Sequence, residues 1–251
     1  MTICNIKNDV NYWENLELRP IVDNSLLLWL TSDSDNGNIW LDRSNYQNTP
    51  IIYGGYNRVP IDNKEMFGNA LQLDGSTGYI FISNNTLFNT IKTGMTASIW
   101  VKQLTWNINN YNTILNRRIG TGSNDLIALM GDYKKVDNHC FNTSTSNGFM
   151  WACGISSQLN KWCNITITYD GSFMKIHINN QLLISKPHTG TLQDETTPLI
   201  IGAGDNGTYG ISEYTNALIG SVLLYNRTLS DTEKTYNYTH SPLYYIEKSI
   251  M

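Results

Sequence analysis

Trp162–Ser185, WCNITITYDGSFMKIHINNQLLIS, is the stretch on which the fold turns. Its first part alternates Cys163, Ile165, Ile167 and Tyr169 with Asn164, Thr166 and Thr168, the period of a strand with one buried face. Asp170-Gly171 predicts a tight hairpin of type I′, because glycine takes positive φ without a Cβ clash. Beyond it Met174, Ile176 and Ile178 alternate with Lys175, His177 and Asn179. Asn179-Asn180 predicts a second turn, asparagine being the best non-glycine residue at positive φ, and Gln181–Ser185 returns. The result is an antiparallel meander whose Ile165, Ile167, Ile176 and Ile178 are expected to point into a core.

Working outward, Leu26–Leu30, Leu126–Met130, Phe149–Cys153 and Leu199–Gly202 read as further strands. Asn142–Gly148 reads as a turn-rich loop. Ser230 followed by Glu233 is a capping-box signature and predicts one short helix, Ser230–Tyr238. The wording of the meander, with Tyr-Asp-Gly-Ser between its strands, resembles the central part of laminin G-like domains of the concanavalin A-like lectin/glucanase class. Gly68–Gly75 with Gly78-Tyr79-Ile80 is similar to that family's G-x-A-L-x-F-D-G…Y-V strand pair, and Met95–Lys102 to its F-T-I-S-x-W-V-K strand. Pro198–Gly202 and Ile219–Ser230 resemble its closing segments. The resemblance implies an all-β, antiparallel two-sheet β-sandwich of jelly-roll type with one short C-terminal helix. It divides the chain into an N-terminal arm (1–24), a sandwich (25–240) and a C-terminal tail (241–251).

Composition narrows the function. Of 251 residues 41% are hydrophobic and only 15% charged, with 17 basic against 21 acidic residues and a net charge of −4. No basic run exceeds Arg117-Arg118, so nucleic acid is not an expected partner, since phosphate binding requires a concentrated basic face. No 18-residue apolar stretch exists, so no membrane span is expected, and the N-terminus has no apolar h-region. Cys4, Cys140, Cys153 and Cys163 lack metal-ligand spacing and read as reduced, packing thiols.

Catalysis finds no support in the motifs. Glucanases of this fold carry E-x-D-x-x-E on one strand, because one carboxylate attacks while the other gives a proton; no such triplet occurs. His139, His177, His188 and His240 are scattered and read as surface or turn residues. Gly202–Gly207 matches G-x-G-x-x-G, but no helical period follows it to hold a pyrophosphate, so it reads as a loop. Laminin G-like domains often hold Ca²⁺ at the rim; Asp74 matches one ligand, but Gly220-Ser221 and Gly78 stand where further acidic residues belong. Asp74 therefore reads as a turn residue, and neither a metal nor a cofactor is expected.

Aromatic residues in loops are the candidates for contact with a glycan or a partner: Trp106, Tyr111, Tyr209 and Tyr214, since an apolar sugar face stacks on such rings. Trp29, Trp100 and Trp162 read as packing. Both ends are apolar enough to act as docking arms, through Tyr12, Trp13, Leu16 and Leu18, and through Leu243, Tyr244, Tyr245 and Ile246. The alternative for these ends is that they fold back onto the sandwich. The reading that follows is a non-enzymatic structural or binding module, displayed on a virion as a capsid-decoration, head-fibre or tail protein and made in the host cytoplasm. Its partners would be other virion proteins or sister copies, and a cell-surface glycan. Two alternatives are a glycan-binding module of a cellular protein and a divergent glycan hydrolase.

Overall fold

The strands follow in chain order as β1 Leu26–Asn36, β2 Ile39–Asp42, β3 Ile51–Tyr53, β4 Tyr56–Pro60, β5 Asn69–Asp74 and β6 Tyr79–Ile82. They continue as β7 Met95–Gln103, β8 Asn112–Arg118, β9 Asp125–Gly131, β10 Asn138–Thr145, β11 Gly148–Ile155 and β12 Cys163–Tyr169. The last are β13 Phe173–Ile178, β14 Gln181–Pro187, β15 Leu199–Ile201, β16 Gly204–Asp205, β17 Ile211–Ser212 and β18 Asn216–Tyr225, followed by helices α1 Asp231–Thr239 and α2 Pro242–Ser249. The computed structural model describes residues 18–36, 39–61, 68–83, 86–118, 125–156, 158–193, 197–205 and 210–249.

Strands β12, β13 and β14 form the expected meander, with Ile165 opposite Ile178 and Ile167 opposite Ile176. Ile165, Ile167 and Ile176 are fully buried and Ile178 nearly so, all in the main core with Met95, Ile99, Leu129 and Phe141. The second turn has Asn179 and Asn180 at φ 49° and 64°, as a type I′ turn requires. The first turn differs from the expectation. Asp170 N–H donates to Phe173 O, so Gly171 and Ser172 are the central pair, and only Gly171 has positive φ (82°). That is the pattern of a type II′ turn, with glycine needed at its first central position.

Sixteen of these strands form one continuous hydrogen-bonded sheet rather than the two layers expected, and β16 pairs with β17 apart from it. The path of the large sheet runs β11-β10-β9-β8-β15-β6-β3-β2-β1-β18-β7-β12-β13-β14, with β5 and β4 attached beside β18. Strand β1 makes the join, pairing with β18 through Leu26–Thr31 and with β2 through Leu30, Asp35 and Asn36. The two ends of the path also meet, since a Cβ on Gly154 of β11 would lie 2.8 Å from Leu183 Cγ of β14. The core thus sits inside a nearly closed, mostly β wrap.

Several expectations are corrected by burial. Residues 142–145, read as loop, belong to β10 and are buried. Thr143 Oγ1 donates to Leu126 O and Thr145 Oγ1 to Thr189 O, both at 2.7 Å, so hydrogen bonds hold much of this polar strand without apolar alternation, while Ser144 Oγ and Asn142 Oδ1 have no partner among the described residues. His139, His177 and His188 are buried rather than superficial. Cys140 and Cys153 are bridged across β10 and β11, with Cα atoms 4.1 Å apart, because the register places them directly opposite one another. Cys163 is an unbridged, buried thiol pushed up to about 12, chiefly by burial.

The C-terminus holds two helices, not one. Helix α1 has the capping box, Ser230 Oγ accepting from Glu233 N–H and Glu233 accepting from Ser230 N–H. Helix α2 occupies most of the expected tail and lies on the body: Leu243 is 1% exposed and joins Trp100, Trp162 and Tyr238, with Tyr244 and Ile246 packed against them. A Cβ on Gly220 would lie 2.4 Å from Leu243 Cδ1, so glycine there is what admits the helix. The docking-arm reading of Leu243, Tyr244 and Ile246 is therefore corrected, because this apolar surface already has a partner within the chain. Tyr245 is half-buried on the same helix, with its ring edge-on to Tyr244. Leu18 lies with Pro20 beside the cleft between Trp29 and the helices, whereas Tyr12, Trp13 and Leu16 lie outside the described residues.

Candidate functional site

Alternation divides β8–β11 into an inward set (Leu115, Ile127, Leu129, Phe141, Ala152) and an outward set. The outward rows run Asn116–Ala128–Asn142–Trp151 and Thr113–Met130–Cys140–Cys153. Arg117 and Arg118 then go opposite ways. Arg117 turns in to Phe88 O (3.0 Å) and Asn89, while Arg118 stays on the outer face opposite Asp125.

An ion network occupies the centre of that face. Arg118 Nε meets Asp125 Oδ1 at 2.6 Å and Arg118 Nη1 meets Glu213 Oε1 at 3.3 Å. Asn116 and Asn142 amides donate to the two oxygens of Asp125, and Thr113 Oγ1 donates to Glu213 Oε2. Burial opposes the charge on Arg118, but its two carboxylate neighbours more than offset this and raise its pKa. Glu213 sits at φ +55°, a strained position for a residue with a side chain, and Gly204 leaves its carboxylate room, since a Cβ there would be 2.3 Å from Oε2. Asn142 Oδ1 is buried with no hydrogen-bond partner among the described residues, so this face holds an unused acceptor.

Aromatic side chains flank the network on both sides. On one side Tyr111 stands 5.0 Å from Tyr133 and 5.9 Å from Trp151, centroid to centroid, and all three are half-buried. Burial, then Tyr133, Asp132 and Glu213, raises the Tyr111 phenol, keeping it a neutral hydrogen-bonding group. On the other side Tyr53 stacks on Tyr79 at 5.3 Å, Phe81 meets Tyr53 edge-on, and Tyr214 tilts against Tyr79 at 6.4 Å. Tyr53 is 43% exposed. Its place beside Tyr79 is fixed by backbone contact, since a Cβ on Gly54 would lie 1.9 Å from Thr77 O and one on Gly78 2.1 Å from Gly55 O.

Of the aromatic candidates read from the sequence, Tyr111 and Tyr214 thus lie on this face, in separate clusters joined through the Glu213 segment. Trp106 is placed as packing: it covers Gly131, donates to Asp132 O at 2.7 Å and meets His139 edge-on. Tyr209 lies outside the described residues. Trp151, Tyr133, Tyr53, Tyr79 and the Arg118–Asp125–Glu213 network were not singled out, because only the register of distant strands assembles them. Asp74 is a turn residue, its Oδ1 accepting from Ser76, Thr77 and Gly78 N–H groups and its Oδ2 from two hydroxyls. Those donors hold its carboxyl well below the usual range against the opposing effect of burial.

No curated protein sequence matches the chain. Among solved structures it is similar to the receptor-binding domain of botulinum neurotoxin C/D mosaic serotype, at TM-score 0.66 and 19% identity over 86% of this chain and 51% of that one. It is also similar to the binding domain of botulinum neurotoxin DC in complex with SialylT (TM-score 0.64, 18% identity, 86% and 51% covered). A third is a structure of botulinum neurotoxin type C, whose cell entry is described as dependent upon interaction with two ganglioside molecules (TM-score 0.65, 16% identity, 86% and 51% covered). The chain spans about half the length of these structures, and at such identities the likeness is one of fold. The family profile of the concanavalin A-like lectin/glucanases superfamily, in its laminin G-like form, matches residues 74–233, more than half of the sequence, and the chain belongs to that family.

Proposed function

We propose that the protein is a non-catalytic, lectin-like binding module that takes a glycan on the outer face of β8–β11. The observation that carries the reading is the half-buried wall of Tyr111, Tyr133 and Trp151 beside the unused acceptor of Asn142. Rings of this kind stack on the apolar face of a pyranose, and a buried acceptor next to them suits a sugar hydroxyl. Tyr53, Tyr79 and Tyr214 extend the surface for a longer chain of sugars. The two carboxylates at its centre do not form an acid and nucleophile pair, since their oxygens are engaged by Arg118, Asn116, Asn142 and Thr113. That the similar neurotoxin structures include one bound to SialylT supports a glycan ligand by analogy of fold alone.

Display on a virion, beside other virion proteins or sister copies, belongs to the same proposal. The Cys140–Cys153 bridge favours a place of action in an oxidising medium, outside the cytoplasm in which such a protein would be made. Purified particles carrying the protein would support that setting, and its consistent absence from particles of the source would remove it.

A glycan array followed by titration of the best ligand tests the binding reading. Trp151→Ala is expected to weaken binding about tenfold, the loss of roughly 1–1.5 kcal/mol of stacking. No glycan bound, or an unchanged affinity in both Trp151→Ala and Tyr111→Ala, would remove this face as the site. Release of reducing sugar from the bound glycan would instead return the hydrolase reading.

A further inference from the structure

We infer that the Cys140–Cys153 bridge is a redox latch on the aromatic wall, whose reduction displaces Trp151 from Tyr111 and weakens the ligand site. The inference rests on the proposed glycan site for its consequence, but not for its mechanics. Both sulfurs lie on the outward face, in one cluster with Ala128, Met130, Tyr111 and Trp151. The Trp151 indole N–H donates directly to Cys153 Sγ. Strand β11, which carries both residues, ends the hydrogen-bonded path; on its far side β14 touches it through side chains, Leu183 against Gly154 and Lys186 Nζ donating to Trp151 O at 3.0 Å, so a shift there disturbs side-chain contacts rather than a strand ladder.

The direction of movement follows from packing. Bonded sulfurs sit inside van der Waals contact, whereas two thiols need an ordinary non-bonded separation of roughly 3.5–4 Å. Cys140 is fully buried against Ala128 and Met130, themselves at 0% and 1% exposure, and has nowhere to go. Cys153 is partly exposed, so the extra room comes from its side, where the Trp151 ring rests.

The chemistry requires an external dithiol. Its thiolate attacks Cys153 Sγ, the sulfur of the partly exposed cysteine, and Cys140 leaves as a thiolate that takes up a proton. The second thiol of the reductant then attacks its own partner in the mixed disulfide, releasing Cys153 as a thiol. Two electrons pass to the protein, and the dithiol leaves as a cyclic disulfide. Cys163, buried and held as the neutral thiol, takes no part.

The intact chain is treated with dithiothreitol, the reduced state being confirmed by alkylation and mass, and tryptophan emission and glycan affinity are then measured. The expected result is an emission change that is absent from Trp151→Phe, with an approximately tenfold loss of affinity that reoxidation restores. Cys140→Ala, which removes the bridge and the crowding together, is expected to bind like the oxidised protein and to ignore the dithiol. Full reduction without an emission change overturns the latch, as does equal affinity of the two redox forms for a glycan that binds. Loss of affinity in a folded Cys140→Ala protein also overturns it. If neither form binds any glycan, the glycan reading falls, and the latch stands or falls on the emission change alone.

Discussion

The two outward faces of the sheet begin from the same pattern and end differently. On β7, β12 and β13 the outward residues Ser98, Asn164, Thr166 and His177 are polar, like Thr113, Asn116 and Asn142 on β8 and β10. On the first face the chain supplies its own cover. Ser98, Asn164 and Thr166 hydrogen-bond one another at 2.9–3.0 Å, Lys234 of α1 reaches His177 Nε2 at 2.9 Å, and Tyr238 stacks on Trp100 at 5.5 Å. Among the described residues no helix lies over the second face, and loop residues such as Glu213 complete its ion network while aromatic rings stay half-buried at either side. The difference teaches that polarity of an outward strand face does not reveal whether it is solvent, interface or site; what the rest of the chain lays over it does.

The largest expected effect tests how the uncovered face is held. Arg118→Ala leaves the Asp125 and Glu213 carboxylates buried without their cation and is expected to cost about 3–5 kcal/mol. Replacing the trio by apolar residues of similar volume should recover most of that loss. A denaturant midpoint unmoved by Arg118→Ala would show the network to be solvated and the two faces less different than described.

Acid sharpens the contrast from the covered side. Burial, then the Lys234 ammonium, depresses His177 to about 4, with Asp231 opposing; burial alone does the same for His139 at the core edge. The unfolded chain takes up a proton on each near pH 6.5 and the folded chain only near 4. Stability present above about 6.5 is therefore lost as pH falls through that window, by about 3 kcal/mol for the fully enclosed His139 and by less for His177, whose charge solvent partly screens. His177→Gln should remove the smaller part of the slope in pH-dependent urea unfolding, and a flat profile between pH 7 and 4 contradicts the burial of both.

A somewhat smaller effect is expected from Leu243→Ala, about 2–4 kcal/mol from the cavity left among Trp100, Trp162 and Tyr238, with glycan binding unchanged. Weakened binding in that variant would couple the two faces and break the comparison.

Much of the fold was legible because alternation is a local signal. The meander, its buried isoleucines, the asparagine turn and the Ser230–Glu233 cap each depend on residues within a few positions of one another. The polar strand β10 was not legible, because Asn142 and Thr143 are held by hydrogen bonds to Asp125 and Leu126 rather than by an apolar period. The disulfide was missed because its cysteines stand thirteen positions apart, and only the β10–β11 register shows that they oppose each other.

The sequence by itself determined the strand periods, the family and the absence of a carboxylate triplet on any strand, since these are properties of neighbours along the chain. The tertiary structure alone decided that α2 is cover rather than a free arm, through the space left at Gly220, and that Arg118, Asp125 and Glu213 meet. It also decided that Tyr111 stands against Trp151. The physical reason is that a site of this kind is an outward surface: no hydrophobic period marks it, and strands far apart in sequence bring its parts together only when the core closes.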